Sequence, residues 1–136
     1  MSTNQKIAVI TGANRGLGRA YALHLAESGV DVAVTYRSNR PQADEVVAAV
    51  TAAGRAAVAL QLDTSVVNSF PDFAERLDAE LKSHWGRSTF DFLVNNAGHD
   101  LTASFAETTE KDFDALVGVH LKGVFFLTQE IGRAHV

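Results

Sequence analysis

Three glycines lie close together near the start of the sequence, at positions 12, 16 and 18. An apolar β-branched run precedes them at residues 6–10, and a stretch with helical spacing of apolar residues follows. A glycine turn between a strand and a helix presents free backbone N–H groups at the positive end of the helix dipole, where a phosphate is favoured. Glycine also allows the tight turn, the close approach of a pyrophosphate and the close packing of helix on strand. This stretch therefore predicts a phosphate-binding loop.

The elements that would position this loop alternate regularly along the chain. Three strands are predicted at residues 6–10, 30–36 and 56–63, and "FDFLVNNAG" predicts a fourth strand with its loop. Helices are predicted at 17–27, 41–53, 66–85 and from 110 to the end; the last is apolar on more than one face and is expected to be buried on both sides. Such alternation is typical of βαβ units with right-handed crossovers. We predict a doubly wound, Rossmann-like α/β fold, with residues 1–136 forming one dinucleotide-binding domain.

Composition excludes several other classes of protein. The chain of 136 residues has no cysteine, which rules out disulfides and thiolate metal sites and fits a cytoplasmic location. Its net charge is −4 and its basic residues are scattered, which argues against binding to nucleic acid or an anionic membrane. Neither a signal peptide nor a membrane-spanning run is evident. The histidine spacing predicts no zinc site.

Three motifs together resemble those of the short-chain dehydrogenases/reductases. They are "TGANRGLG" at 11–18, the aspartate of "LQLDTS" at Asp63, and "NNAG" at 95–98. The resemblance covers the chain from residue 6 onward and implies a nicotinamide dinucleotide cofactor. The loop would lie under the pyrophosphate, Asp63 would contact the adenine amino group, and the fourth-strand loop would lie beside the riboses. The residues that would bind the cofactor are thus Gly12, Asn14, Arg15, Gly16, Leu17, Gly18, Asp63, Asn95, Ala97 and Gly98, together with Arg37.

Arg37 bears on the choice between the two nicotinamide cofactors. NAD sites usually have a carboxylate about 20 residues after the loop, whereas an arginine suits the 2′-phosphate of NADP. The second predicted strand ends in Tyr36 and Arg37, and Asp31 lies at the strand's other end. Arg15 offers a second guanidinium on the same side. We therefore expect NADP rather than NAD, although Arg37 and Arg40 could also be ordinary surface charges.

The resemblance also implies catalytic residues, and this sequence contains none of them. Family members use a serine, a Tyr-x-x-x-Lys pair and an asparagine in the long helix. The two tyrosines here, Tyr21 and Tyr36, are not followed four residues later by lysine, and His120 stands at the asparagine's position. His120 is interpreted either as a structural histidine or as a proton relay. Without a positioned acid or base we predict no carbonyl reduction by this chain alone.

The resemblance implies the strand order 3-2-1-4-5-6-7. This sequence would form only the 3-2-1-4 part, a truncated sheet, and it ends within the long helix. The fourth strand would then expose an apolar edge and the helix would lack a neighbour, so we expect a homodimer. Two other functions remain open: a non-catalytic nucleotide-binding or dimerising module, and a hydrolase. No G-x-S-x-G elbow supports the hydrolase, and His99 with Asp100 would be its first residues to test.

Overall fold

The computed structural model describes residues 4–133, which form a four-stranded parallel sheet with helices on both faces. The order in the sheet is β3-β2-β1-β4, as the sequence predicts. The elements are β1 (Ile7–Ile10), α1 (Gly16–Glu27), β2 (Asp31–Tyr36), α2 (Arg40–Ala52), β3 (Ala57–Gln61), α3 (Phe70–Trp85), β4 (Phe92–Val94), α4 (Glu110–Val117) and α5 (Val124–Arg133). A π-helical turn, Gly118–Gly123, joins α4 to α5, and short 3₁₀ turns lie at Val67–Ser69 and Phe105–Glu107.

The central strands are buried throughout and mostly apolar because helices cover both faces of the sheet. Every residue of β1 and β2 is buried. Side chains alternate between the faces along β1: Ala8 and Ile10 pack in one core with the buried faces of α1 and α2. Ile7 and Val9 pack in the other, which α3 and α5 cover with Phe70, Phe73, Leu77, Leu127 and Ile131. These two cores hold the carboxyl ends of the strands at one edge of the sheet.

The register aligns those carboxyl ends. Ile10 of β1 pairs with Val34 of β2 on one side and with Val94 of β4 on the other. The loop after β1 therefore lies between the ends of β2 and β4, and α1 begins directly beneath it. In open parallel sheets this is the place where ligands bind.

The last helical segment differs from its prediction in two ways. It is interrupted by the π-helical turn, and it is buried on one side only. Val119, Leu127 and Ile131 are buried against the rest of the molecule, whereas Leu121 and Phe125 are exposed. The expectation of burial on both sides was wrong, because no second layer of the described chain covers the outer face. Residues 134–136 of the expected helix lie outside the described residues. Within residues 4–133, no helix combines the length and apolarity needed to cross a bilayer.

Candidate functional site

A cleft of about 500 Å³ opens at the carboxyl edge of the sheet, above the start of α1. Predicted residues from every motif line it: Gly12, Asn14, Arg15, Gly16, Leu17, Arg37, Asp63, Ala97 and Gly98. Two predicted residues lie outside the lining. Gly18 is buried beneath it in α1, and the Asn95 side chain donates to Thr128 Oγ1 at 3.3 Å. The cleft thus gathers residues from Gly12 to Val119, which are 107 positions apart in the sequence.

The three glycines of the loop meet three different steric demands. Gly12 has φ +61°, and a Cβ there would lie 2.8 Å from the Cα of Ala97, so the two loops touch through bare backbone. Gly16 also has a positive φ, but a Cβ there would meet no atom within 4 Å. A Cβ on Gly18 would collide with the Asn96 side-chain amide and lie 2.7 Å from the Gly12 carbonyl. Gly12 and Gly18 therefore serve the packing of the fold, whereas Gly16 leaves the floor of the cleft bare.

Thr11 and Asn96 join the loop after β1 to the loop after β4. Thr11 Oγ1 accepts the backbone N–H groups of Asn96 at 3.0 Å and Ala97 at 2.9 Å. In return, the Asn96 side-chain amide donates to the carbonyls of Thr11 at 3.1 Å and Gly12 at 3.2 Å. Sequence reasoning missed both roles, although the threonine before the glycines and the second asparagine of "NNAG" were the available signal. The pair holds the glycine loop after β1 against the β4 loop.

Asp63 lies just after β3, on the wall of the cleft opposite the β4 loop. Its Oδ1 accepts the Ser65 hydroxyl at 2.6 Å and the Ser65 backbone N–H at 2.9 Å. Burial raises the pKa of Asp63, but these bonds and the charge of Arg37 lower it more, so that the net pKa lies below its ordinary value. Both bonds engage Oδ1 alone. The carboxylate is therefore ionised at neutral pH and can accept a further hydrogen bond through Oδ2.

The cleft beyond the end of β2 is rich in hydrogen-bond donors. Arg37 lines it beside Ser38 and Asn39, and Asn39 caps α2 by accepting the Gln42 backbone N–H at 3.1 Å. Gln42 in turn accepts the Asn14 amide at 2.9 Å, which ties the first loop to α2. Sequence analysis did not foresee Ser38, Asn39 or Gln42, because single polar residues after a strand carry no pattern of their own.

Asp31, the one carboxylate of β2, lies at the amino edge of the sheet. It is buried there and accepts Trp85 Nε1–H at 2.8 Å and the Ala56 backbone N–H at 3.0 Å. Arg55 Nε lies 3.8 Å from the same carboxylate. The prediction that Asp31 is on the wrong edge to serve the cleft is confirmed by this register, and its role is to stabilise the fold.

His120 lies against the β4 loop. Its Nε2 is 2.5 Å from the His99 carbonyl oxygen and 3.2 Å from the His99 backbone nitrogen. Gly98 makes room for the ring, because a Cβ there would collide with His120 Cε1. Its neighbour Val119 is buried and lines the cleft. The His120 ring thus contacts the backbone of the β4 loop, which forms one wall of the cleft.

Comparisons with known proteins agree with this fold and site. The family model described as short chain dehydrogenase matches residues 6–135. An uncharacterised oxidoreductase of Methylorubrum extorquens is 40% identical over 128 residues, which are 94% of this chain and 49% of that protein. The hydroxynaphthalene reductase arp2 of Aspergillus fumigatus is 36% identical over 91% of this chain and 43% of its own length. The crystal structure of the angucycline C-6 ketoreductase LanV with bound NADP superposes with a TM-score of 0.90 at 34% identity, covering 94% of this chain and 50% of LanV.

The strand order and the place of the cleft are those of a Rossmann-like α/β domain. The chain belongs to the short-chain dehydrogenase family, which confirms the resemblance seen in its motifs. It corresponds to the N-terminal half of that oxidoreductase family, whose members bind a nicotinamide dinucleotide. The chain spans about half the length of the curated relatives it matches.

Proposed function

We propose that this chain is the NADP(H)-binding half of a short-chain dehydrogenase/reductase and that, by itself, it binds the cofactor without reducing carbonyl compounds. The observation that carries the proposal is the charge at the end of β2. Arg37 and Arg15 both line the cleft there, whereas Asp31 is engaged at the opposite edge. A guanidinium binds phosphate in a bidentate geometry, while a ribose 2′-hydroxyl is usually bound by a carboxylate.

The residues present fit such a cofactor. The bare backbone at Gly16 and the start of α1 suit a pyrophosphate, since no side chain fills that floor. Asp63 Oδ2 suits an amino donor such as that of adenine. Arg37 suits the 2′-phosphate. The NADP bound in LanV is a property of that protein, and it supports the same assignment here.

Hydride chemistry would come from the bound cofactor, whereas the proton must come from the protein. The hydroxyl of Tyr36 accepts a hydrogen bond from Arg40 at 3.4 Å, and Tyr21 lies on α1 facing a separate groove with Val94. Neither tyrosine has a lysine four residues later. We infer that the 136 residues lack a general acid for carbonyl reduction. The alternative of a non-catalytic nucleotide-binding module predicts the same binding behaviour for this chain.

Isothermal titration with NADPH and NADH tests the cofactor assignment. We expect NADPH to bind roughly 10-fold more tightly, and Arg37→Ala to remove that preference by weakening NADPH alone. Arg40→Ala is the matched control, because its guanidinium lies near the Tyr36 hydroxyl and 3.7 Å from Asp44. A folded chain that binds neither dinucleotide contradicts the proposal, and a preference for NADH contradicts the choice of NADP. Steady NADPH absorbance in the presence of carbonyl compounds is expected.

We also propose that the chain forms a homodimer through the last helical segment. Phe113, Leu121 and Phe125 are 59%, 67% and 60% exposed, which is unusual for large apolar side chains along one segment. The β4 edge is the other candidate surface, with Phe92 exposed, but β4 has only three residues, and short edge strands limit edge-to-edge pairing. The helical surface is therefore favoured.

Sedimentation equilibrium distinguishes these two surfaces. We expect a dimer at micromolar concentration, which Phe125→Glu converts to a monomer and Phe92→Glu leaves intact. The opposite pattern would assign the interface to the β4 edge, and a monomeric wild type would refute the dimer. The cytoplasmic location inferred from composition stays a prediction.

A further inference from the structure

The π-helical turn Gly118–Gly123 contacts both walls of the cleft. On one side the backbone of Gly123 packs directly on Thr64, next to Asp63, and a Cβ on Gly123 would collide with the Thr64 carbonyl. On the other side the His120 ring lies over Gly98 and reaches the backbone of His99. Val119, between them, is buried and lines the cleft. Thus one turn of unusual helical geometry, of a kind often found at functional sites, connects the two walls.

The contact between His120 and His99 has a definite polarity. Nε2 is a single atom, so in a given tautomer it either donates to the His99 carbonyl or accepts from the His99 N–H, but does not do both. The carbonyl oxygen is at 2.5 Å and the amide nitrogen at 3.2 Å. The shorter distance corresponds to donation by Nε2–H to the carbonyl. A glutamine or asparagine side-chain amide carries a separate donor and acceptor. Either residue at position 120 could therefore donate a hydrogen bond in place of Nε2–H.

We propose that His120 is a positioning residue for the cleft: through its Nε2–H it holds the 96–99 wall against the π-helical turn, and so keeps that wall in its ligand-binding position. Only the expected change in the Kd for NADPH rests on the proposed cofactor function. The positioning of residues 96–99 by His120 concerns the free protein. The Ala97 N–H, which donates to Thr11 Oγ1, reports whether this wall stays in place.

The experiment compares four variants of the full chain in the absence and presence of NADPH. His120→Ala removes the donor and the ring, His120→Phe keeps a ring without a donor, and His120→Gln restores a donor. His24→Ala is the control, since His24 is an exposed histidine on α1 that pairs with Glu27. The measurements are the tautomer of His120 by ¹⁵N NMR, amide exchange of Ala97 in the free protein, and the Kd for NADPH. Circular dichroism and urea unfolding verify that each variant is folded.

We expect an Nε2–H tautomer in the wild type. The Ala97 amide should exchange roughly 3- to 10-fold faster in His120→Ala and His120→Phe, and His120→Gln should restore the wild-type rate. The Kd for NADPH should rise by a similar factor in the first two variants only. An Nδ1–H tautomer, unchanged exchange in His120→Ala, or wild-type behaviour of His120→Phe would overturn the proposal. If the exchange pattern appears but no dinucleotide binds, the positioning role of His120 stands and the cofactor assignment fails.

Discussion

The hydroxyl oxygen of Thr11 lies 3.0 Å from the backbone nitrogen of Asn96, and the Asn96 side chain donates in return to the Thr11 carbonyl. This reciprocal pair joins two loops that are 85 residues apart in the sequence. It lies directly behind the glycine loop, so that the position of this loop depends on β4 as well as on β1.

The first prediction concerns the two adjacent asparagines of "NNAG". Asn96→Ala removes the donor to two carbonyls and is expected to lower the free energy of unfolding by about 1–2 kcal/mol. Asn95→Ala removes one exposed bond to Thr128 and should change it by less than about 0.5 kcal/mol. Urea unfolding measures both. Equal losses of unfolding free energy in the two variants would show that the hydrogen bonds between the two loops add no stability of their own.

The second prediction separates the structural glycine of the loop from the one that faces the cleft. Gly12→Ala combines a positive φ with a Cβ 2.8 Å from Ala97, and we expect a loss of about 2–4 kcal/mol of stability. Gly16→Ala carries only the backbone strain and should cost about 1–2 kcal/mol, but its methyl group would occupy the floor of the cleft and weaken NADPH binding.

Gly29→Ala is the matched control for Gly16→Ala. Gly29 has φ +90° and open space around its Cβ position, and it follows α1 at the opposite end from the cleft. We expect a similar loss of stability with unchanged NADPH binding, measured by calorimetric titration. Unaltered binding by Gly16→Ala as well would contradict a phosphate site on this backbone.

The third prediction concerns acid stability and Asp91. Burial raises the pKa of this carboxyl, but bonds from Arg87 and the Ile7 N–H, with the charges of Arg87 and Lys6, lower it below its ordinary value of 3.8. The unfolded state therefore binds the proton more readily. The stabilisation is present above the ordinary pKa and is lost as the pH falls from about 5 through the lowered pKa.

Asp91→Asn should thus cost about 1 kcal/mol at neutral pH and progressively less in acid. Urea unfolding at several pH values measures the difference, and the exposed loop residue Asp100, changed to Asn, is the control. A constant difference between wild type and Asp91→Asn across this range would show that the charge of Asp91 is not the cause.

Much of the fold was predictable because its signals are local. The alternation of apolar runs with helical spacing depends on neighbouring residues alone, and it indicated all four strands and the helices that join them. The glycine spacing indicated a turn before α1, since glycine is the residue that tolerates a positive φ at Gly12 and Gly16. The end of the predicted second strand then placed Arg37, and a family motif placed Asp63, at the same edge of the sheet.

Other features of the site were decided only by the tertiary structure, because they depend on how distant segments of the chain pack together. The sequence did not show that Asn96 rather than Asn95 faces Thr11, because adjacent residues after a strand point in opposite directions and the choice follows from the register of β4 on β1. Nor did it show that Gly98 makes room for His120, or that one face of the last helix stays exposed. Periodicity states which side chains are apolar, whereas packing between elements decides which of them are covered.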